Sequence, residues 1–143
     1  MKIRKASLKD VNNIFQLMKL NKELKNSTNC SYFDKKFLKT IITDKGIIFL
    51  VVEDNKKVLG VLGAAVWKKE KICYADFIFI DKRYRGKGVG LELHKYFIKN
   101  LKKEGIKYLW AIVKSDDYAL QNTFKKFNMK KQYLCYYYDQ ELK

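Results

Sequence analysis

"KRYRGKGVGLEL", residues 82–93, sets glycines at positions 86, 88 and 90 among arginines and lysines, and an apolar helical pattern begins at once. Glycine lets the backbone turn left-handed and approach a ligand closely. A helix start leaves N–H groups without intrahelical partners and carries partial positive charge. Bare, cation-flanked backbone at such a point suits an anion, phosphate above all. Two phosphate-binding motifs do not fit the spacing. The dinucleotide fingerprint needs GxGxxG inside a βαβ unit, whereas Gly86, Gly88 and Gly90 give GxGxG. The nucleotide P-loop needs a hydroxyl after Gly-Lys, and Gly86-Lys87 is followed by Gly88.

Upstream of the turn, "GIIFLVVE" (46–53) and "KVLGVLGAAVW" (57–67) are β-rich runs joined by "DNKK", and "ICYADFIFI" (72–80) follows a "KKEK" turn. Together they predict three sequential antiparallel strands. The third is apolar at both alternating sets of positions, which predicts a central strand covered on both faces. Before them, residues 2–5 read as a strand. Val11, Ile14, Phe15 and Met18 then keep helical spacing behind Ser7 and Asp10, a capping-box pair. Phe33, Phe37, Leu38 and Ile41 mark a second helix, reached through a polar loop at 21–31 long enough to shape a site.

Downstream, Val89, Leu93, Tyr96, Phe97 and Leu101 predict a helix from Gly88 to about Lys103, with Gly105 as its stop. "IKYLWAIV" (106–113) reads as a strand, 117–127 as a helix and "KKQYLCYYYDQEL" (130–142) as a terminal β segment. The expected architecture is one α+β domain, residues 1–143, with a mostly antiparallel mixed sheet flanked by helices on both faces.

Composition narrows the class. With 48% hydrophobic and 15% aromatic residues the chain folds. No apolar run reaches membrane-spanning length and "MKIRKASLKDVNNIF" has no signal-peptide core, so a cytoplasmic protein is expected. Cys30, Cys73 and Cys135 lack the spacing of a disulfide framework or a metal site. The charge of +16 invites nucleic acid as partner, but 28 of the 31 basic residues are lysine in a proline-free, Asn- and Ile-rich chain. That bias reads as a solvated lysine surface, and nucleic acid is not the expected ligand. Two of the three arginines, Arg83 and Arg85, flank the glycines.

"IDKRYRGKGVG" resembles the acetyl-CoA signature of the GNAT superfamily of N-acetyltransferases: Arg or Gln, two residues, Gly, one residue, then Gly or Ala. Arg85, Gly88 and Gly90 fill those positions, and the order of elements along the whole chain is similar to that family. The resemblance implies that backbone amides of Arg85, Gly86, Lys87, Gly88, Val89 and Gly90 hold the pyrophosphate of acetyl-CoA. It also implies that Ile78, Phe79 and Ile80 pair their backbone with the pantetheine arm. A second family stretch aligns with "DYALQNTFKKFNM", placing Asp117, Leu120, Phe124, Lys126 and Asn128-Met129 at the family's Asn, Ala, Tyr, Lys and Gly-Phe. Lys126 joins Lys87 as a cation beside the cosubstrate. Phe124 has no proton to give where the family tyrosine protonates the departing thiolate. Tyr118, Tyr133, Tyr136, Tyr137, Tyr138 or water stand as alternatives.

The reaction implied is acetyl transfer to a primary amine of a small molecule by direct attack in a ternary complex. The alternatives are a protein N-terminus or lysine as acceptor, or a catalytically weak acyl-CoA-binding domain. Amine attack needs a base. Asp76 is the only carboxylate within "ICYADFIFI", where burial is expected to raise its pKa, and Glu53 is the weaker candidate. Cys73 offers a covalent route in principle, without a visible activating partner. A homodimer is compatible with the resemblance, and no membrane contact is expected.

Overall fold

Alternation along the strands and apolar stripes on the helices decide what packs where. The computed structural model describes residues 1–19 and 34–132. In order come β1 (Lys2–Lys5), α1 (Val11–Lys19), α2 (Lys35–Thr43), β2 (Ile47–Asp54), β3 (Lys57–Trp67) and β4 (Ile72–Ile80). Then follow α3 (Val89–Lys103), β5 (Tyr108–Ala111) and α4 (Tyr118–Lys126). The loop expected at 21–31, Phe33, the terminal β residues from Tyr133 onward, Cys30 and Cys135 lie outside the described residues. Met1–Trp110 form one compact unit and Ala111–Lys143 a second.

The sheet is mixed and five-stranded, in the order β1-β2-β3-β4-β5, and its first three pairings are antiparallel. Asn55 and Lys56, both at positive φ (47° and 64°), make the two-residue β2–β3 hairpin turn. One face of the sheet carries Leu50, Val52 and Leu62 against Val89, Leu93, Phe97 and Leu101 of α3. The other carries Phe49, Val51, Val61 and Phe79 against Val11, Ile14 and Met18 of α1 and Leu38 and Ile41 of α2. Helices thus cover both faces, as the periodicities predict.

The central strand is β3, not β4. Val58 through Ala64 are all buried in β3, whereas β4 buries fully only Cys73 and Phe79. Flanking length explains this. β3 lies between two long partners, while β5 contributes four residues beside the nine of β4. Lys107 and Tyr108 both donate to the carbonyl of Lys71, so β5 enters at the start of β4. Four residues span about 13 Å, which leaves Ile78–Ile80 beyond the reach of β5.

An arginine ties the edge of the sheet to the first helix. Arg4 on β1 donates to both carboxylate oxygens of Asp10, at 2.7 and 2.8 Å, and also to Glu53 on β2. Asp10 closes the capping box by accepting from the Ser7 backbone N–H (2.7 Å) and hydroxyl (2.9 Å). Chiefly through the Arg4 hydrogen bonds, Asp10 is held down at a pKa of about 2.

In the second unit, α4 is capped by Asp117, whose side chain accepts from Leu120 N at 2.9 Å. Beyond the helix, Asn128 takes the left-handed conformation (φ 57°) and Met129 N returns to Phe124 O at 3.0 Å. These are the backbone roles expected of Asp and Asn at those positions.

Candidate functional site

The glycine turn begins at Asp81, the last buried polar group before it, at 6% exposure. Its backbone N–H reaches Leu59 O (2.8 Å), and its carboxylate accepts from the Arg83 backbone (3.0 Å) and guanidinium. That pairing with Arg83 holds the Asp81 pKa at about 2. Arg85 folds back so that its Nε donates to Ile80 O at 2.9 Å, and its guanidinium lies 5.4 Å from the centre of the Phe79 ring. Both arginines therefore brace the turn against the end of β4. Two lysines gather at the same turn: Lys87 and Lys57 stand 5.5 and 5.9 Å from the centre of the Tyr84 ring.

Gly86 and Gly88 have φ of 73° and 80°, and a methyl group at either would meet nothing within 4 Å. Only their backbone conformation demands glycine there. Gly90 is different, with ordinary φ, and a Cβ would touch Ile80 at 3.5 Å, a normal contact. Gly88 caps the fifteen-residue α3, so the N–H groups of Val89, Gly90 and Leu91 lie in its first turn, where an α-helix supplies no partner. A phosphate fits this cradle on three counts: left-handed glycines, a helix N-terminus and neighbouring lysines.

The second feature lies upstream on the same strand. β3 and β4 pair Gly63 with Phe77 and Ala64 with Ala75, so Asp76 is the extra residue of a β-bulge. A bulge breaks alternation and re-aims a side chain. Tyr74, Asp76 and Phe77 consequently line one cleft of about 260 Å³, together with Phe37 and Ile41 of α2 and Phe49 of β2. Asp76 is exposed, contrary to the burial its apolar neighbours in sequence suggest. Its pKa is nevertheless raised, because the surrounding hydrocarbon removes part of its hydration, and a hydrogen bond from Tyr74 partly opposes that rise. The indole of Trp110 on β5 stacks on Tyr74 with centroids 4.3 Å apart.

The other proposed chemistry at this end of the chain falls away. Glu53 is held by Arg4, which lowers its pKa and makes it a poor base. Cys73 has no exposed surface, packs on the α3 face of the sheet, and burial pushes its thiol up to about 12. A thiol so protonated is a poor nucleophile at neutral pH. His94, buried on α3, is pushed down to about 4 by burial, so it is neutral near pH 7.

Asp76, Ile78–Ile80 and Arg85–Gly90 all belong to the unit Met1–Trp110, whereas Asp117, Phe124 and Lys126 belong to the second. Sequence reasoning passed over Tyr74, Phe77 and Trp110. The alternation of "ICYADFIFI" could have paired Tyr74 with Asp76, but nothing local announces the bulge or the β5 partner.

A search of curated proteins found no match to this sequence. The profile of the Acetyltransferase (GNAT) family matches residues 11–129. Among solved structures, an aminoglycoside acetyltransferase from an uncultured soil metagenomic sample, in complex with sisomicin, is similar with a TM-score of 0.78. It is 20% identical over 98% of this chain and 96% of that one. The PaiA N-acetyltransferase of Thermoplasma acidophilum, in complex with coenzyme A, gives a TM-score of 0.77 at 17% identity, covering 88% and 87%. The ribosomal-protein-S18-alanine N-acetyltransferase of Escherichia coli gives 0.75 at 16%, covering 88% and 75%. At these identities the likenesses speak for the fold. The profile match takes in β2 to β5, the glycine turn and α4 alike, and by it this chain belongs to the GNAT family of acetyltransferases.

Proposed function

We propose that this chain transfers the acetyl group of acetyl-CoA to a primary amine of a small molecule, by direct attack in a ternary complex with Asp76 as base. The observation that carries the reading is the placement of two features on β4: a carboxylate re-aimed by a bulge, and a phosphate cradle just past the strand's end. About 13 Å of extended strand separates Asp76 from Ile80. In this reading the backbone of Ile78–Ile80 meets the pantetheine arm as an added strand would, and Arg85–Gly90 hold the pyrophosphate.

Acetyl-CoA supplies the activated acyl group as a thioester. The chain's part is to bring a neutral amine to it. Alkyl ammonium groups lose their protons near pH 10, and a carboxylate of raised proton affinity is a better acceptor at neutral pH than an ordinary one. Asp76 takes one proton from the ammonium, the nitrogen lone pair forms the new C–N bond, the C–S pair leaves on sulfur, and the second nitrogen proton passes to the departing thiolate through water. Tyr74, stacked by Trp110, stands beside the carboxylate as a phenol that can steady it. With Cys73 buried and protonated, no acetyl-enzyme step is included.

Thermal unfolding with excess acetyl-CoA tests the cradle, with ATP as the anion control. At about 100 times the dissociation constant a native-state ligand adds roughly 2.7 kcal/mol, several degrees for a domain of this size. Thiol release in the presence of amines then tests the base. Asp76→Asn is expected to lower kcat about 100-fold with acetyl-CoA protection intact, and to abolish the acidic limb of the pH–rate profile. Full activity in that variant removes Asp76 from the mechanism. Specific protection without turnover on any amine would favour the acyl-CoA-binding alternative.

A further inference from the structure

The cleft beside Asp76 has a chemical character that bears on the acceptor. Its lining is hydrocarbon from three directions: Phe37 and Ile41 from α2, Phe49 from β2 and Phe77 from β4. The floor on β3 is kept low by Gly63 and Ala65. A methyl at Gly63 would stand 2.3 Å from the Phe77 ring, so that ring rests directly on bare backbone. Phe77 in turn meets Phe49 edge-on, with centroids 5.5 Å apart. Against these walls the lining has, among the described residues, one ionisable carboxylate, Asp76, and one hydroxyl, that of Tyr74. The cleft, of about 260 Å³, suits a small body laid against these walls.

A polyhydroxylated or multiply charged amine would press hydroxyls and extra ammonium groups against hydrocarbon that cannot pair with them. The chain's charge of +16 further disfavours polycations approaching from solution. A single ammonium on an apolar body meets neither obstacle. It has one carboxylate to face and aromatic rings within reach for the carbons next to nitrogen.

We propose that the acceptor is a monocationic primary amine on a compact apolar body, alkyl or aryl, whose ammonium faces Asp76 while its carbons lie on Phe77 and Phe49. This rests on the reading of Asp76 as the group that receives the amine, and it goes further by choosing among amines.

The test compares acetyl-CoA-dependent thiol release by the full chain with ethylamine, butylamine, hexylamine, 2-phenylethylamine, spermidine and kanamycin. Calorimetric binding of 2-phenylethylamine and spermidine in the presence of coenzyme A runs alongside. kcat/KM is expected to rise up to about fourfold per methylene from ethylamine until the cleft fills. 2-Phenylethylamine should exceed spermidine and kanamycin at least tenfold. Phe37→Ser, at a side chain already 40% exposed and so tolerant of change, should cut the hexylamine and 2-phenylethylamine values several-fold and the ethylamine value less, so that the gain per methylene shrinks. Spermidine or kanamycin matching 2-phenylethylamine, with Asp76→Asn inactive on all amines, overturns the apolar-body inference and leaves the base standing. Undiminished activity of Asp76→Asn overturns the reading beneath it. If no amine turns over, tighter binding of 2-phenylethylamine than of spermidine upholds the inference, and the absence of that preference overturns it.

Discussion

The glycine turn and the Asp76 cleft share strand β4 and are built in opposite ways. The turn is consecutive residues, Asp81 to Gly90, whose offering is backbone: two left-handed glycines and the first turn of α3. The cleft is side chains from α2, β2, β3 and β4, brought together only by folding. Their carboxylates move in opposite directions as well. Asp81 is held at about 2 by Arg83, while Asp76 is raised by loss of hydration. A cosubstrate handled by backbone leaves its mark in a short run of sequence. An acceptor handled by scattered side chains leaves almost none.

The largest effect should come from Gly88→Val. A β-branched residue at φ 80° is strongly disfavoured, and relief of that strain moves the first N–H groups of α3. Acetyl-CoA affinity, measured by calorimetry, should fall at least about 100-fold, or roughly 2.7 kcal/mol, with the fold retained by circular dichroism. Unchanged affinity would dissolve the distinction between the two regions, since the turn would then not act through its backbone.

Asp81→Asn probes the opposite titrations. A carboxylate whose folded pKa lies below its ordinary value stabilises the fold above that value, and the contribution is lost as pH falls through the folded one. For Asp81 the window runs from near pH 4 down to about 2. Allowing for the exposed Arg83 partner, the variant should lose about 1–2 kcal/mol at neutral pH, with a flatter acid limb in chemical denaturation. Asp76→Asn should go the other way, since a raised folded pKa means that ionisation costs stability as pH rises. A modest gain at neutral pH is expected.

Gly63→Ala sharpens the comparison from the cleft side. Its methyl would force the Phe77 ring to move, so KM for the amine should change several-fold while acetyl-CoA affinity stays constant. The smallest effect belongs to Gly90→Ala, where the added Cβ meets Ile80 at an ordinary distance. Stability should hold or rise by up to about 1 kcal/mol, with kinetics unchanged. Loss of acetyl-CoA binding there would show the cradle to be tighter than its free space suggests.

What could be read in the sequence was local. Ser7 with Asp10, Asp117 before α4 and Asn128 after it, and glycines 86 and 88 each announce a backbone conformation within a few residues, and each adopts it. The apolar stripes of α1, α2 and α3 likewise depend on spacing alone. What failed was non-local. Glu53 looked available until Arg4, 49 residues away, took it. The apolar run of β4 suggested a strand buried on both sides, but burial depended on the length of β5. Asp76 was singled out for its apolar neighbours in sequence, yet its exposure follows from a register shift against Gly63 and Ala64 that no residue in β4 spells out.

That shift has an evolutionary consequence. A bulge adds one residue to one strand without turning over what lies on either side of it. Loss of the codon for position 76 would set Ala75 next to Phe77 in simple alternation, with Cys73, Ala75, Ile78 and Ile80 still on the α3 face and Phe77 and Phe79 still on the α1 side. The carboxylate is thus an insertion that the core of the sheet does not depend on. Lineages descended from this chain can therefore lose Asp76 by a one-codon deletion that leaves the packing of β4 in place, and explore new acceptors by exchanging side chains such as Phe37, Ala65 and Phe77.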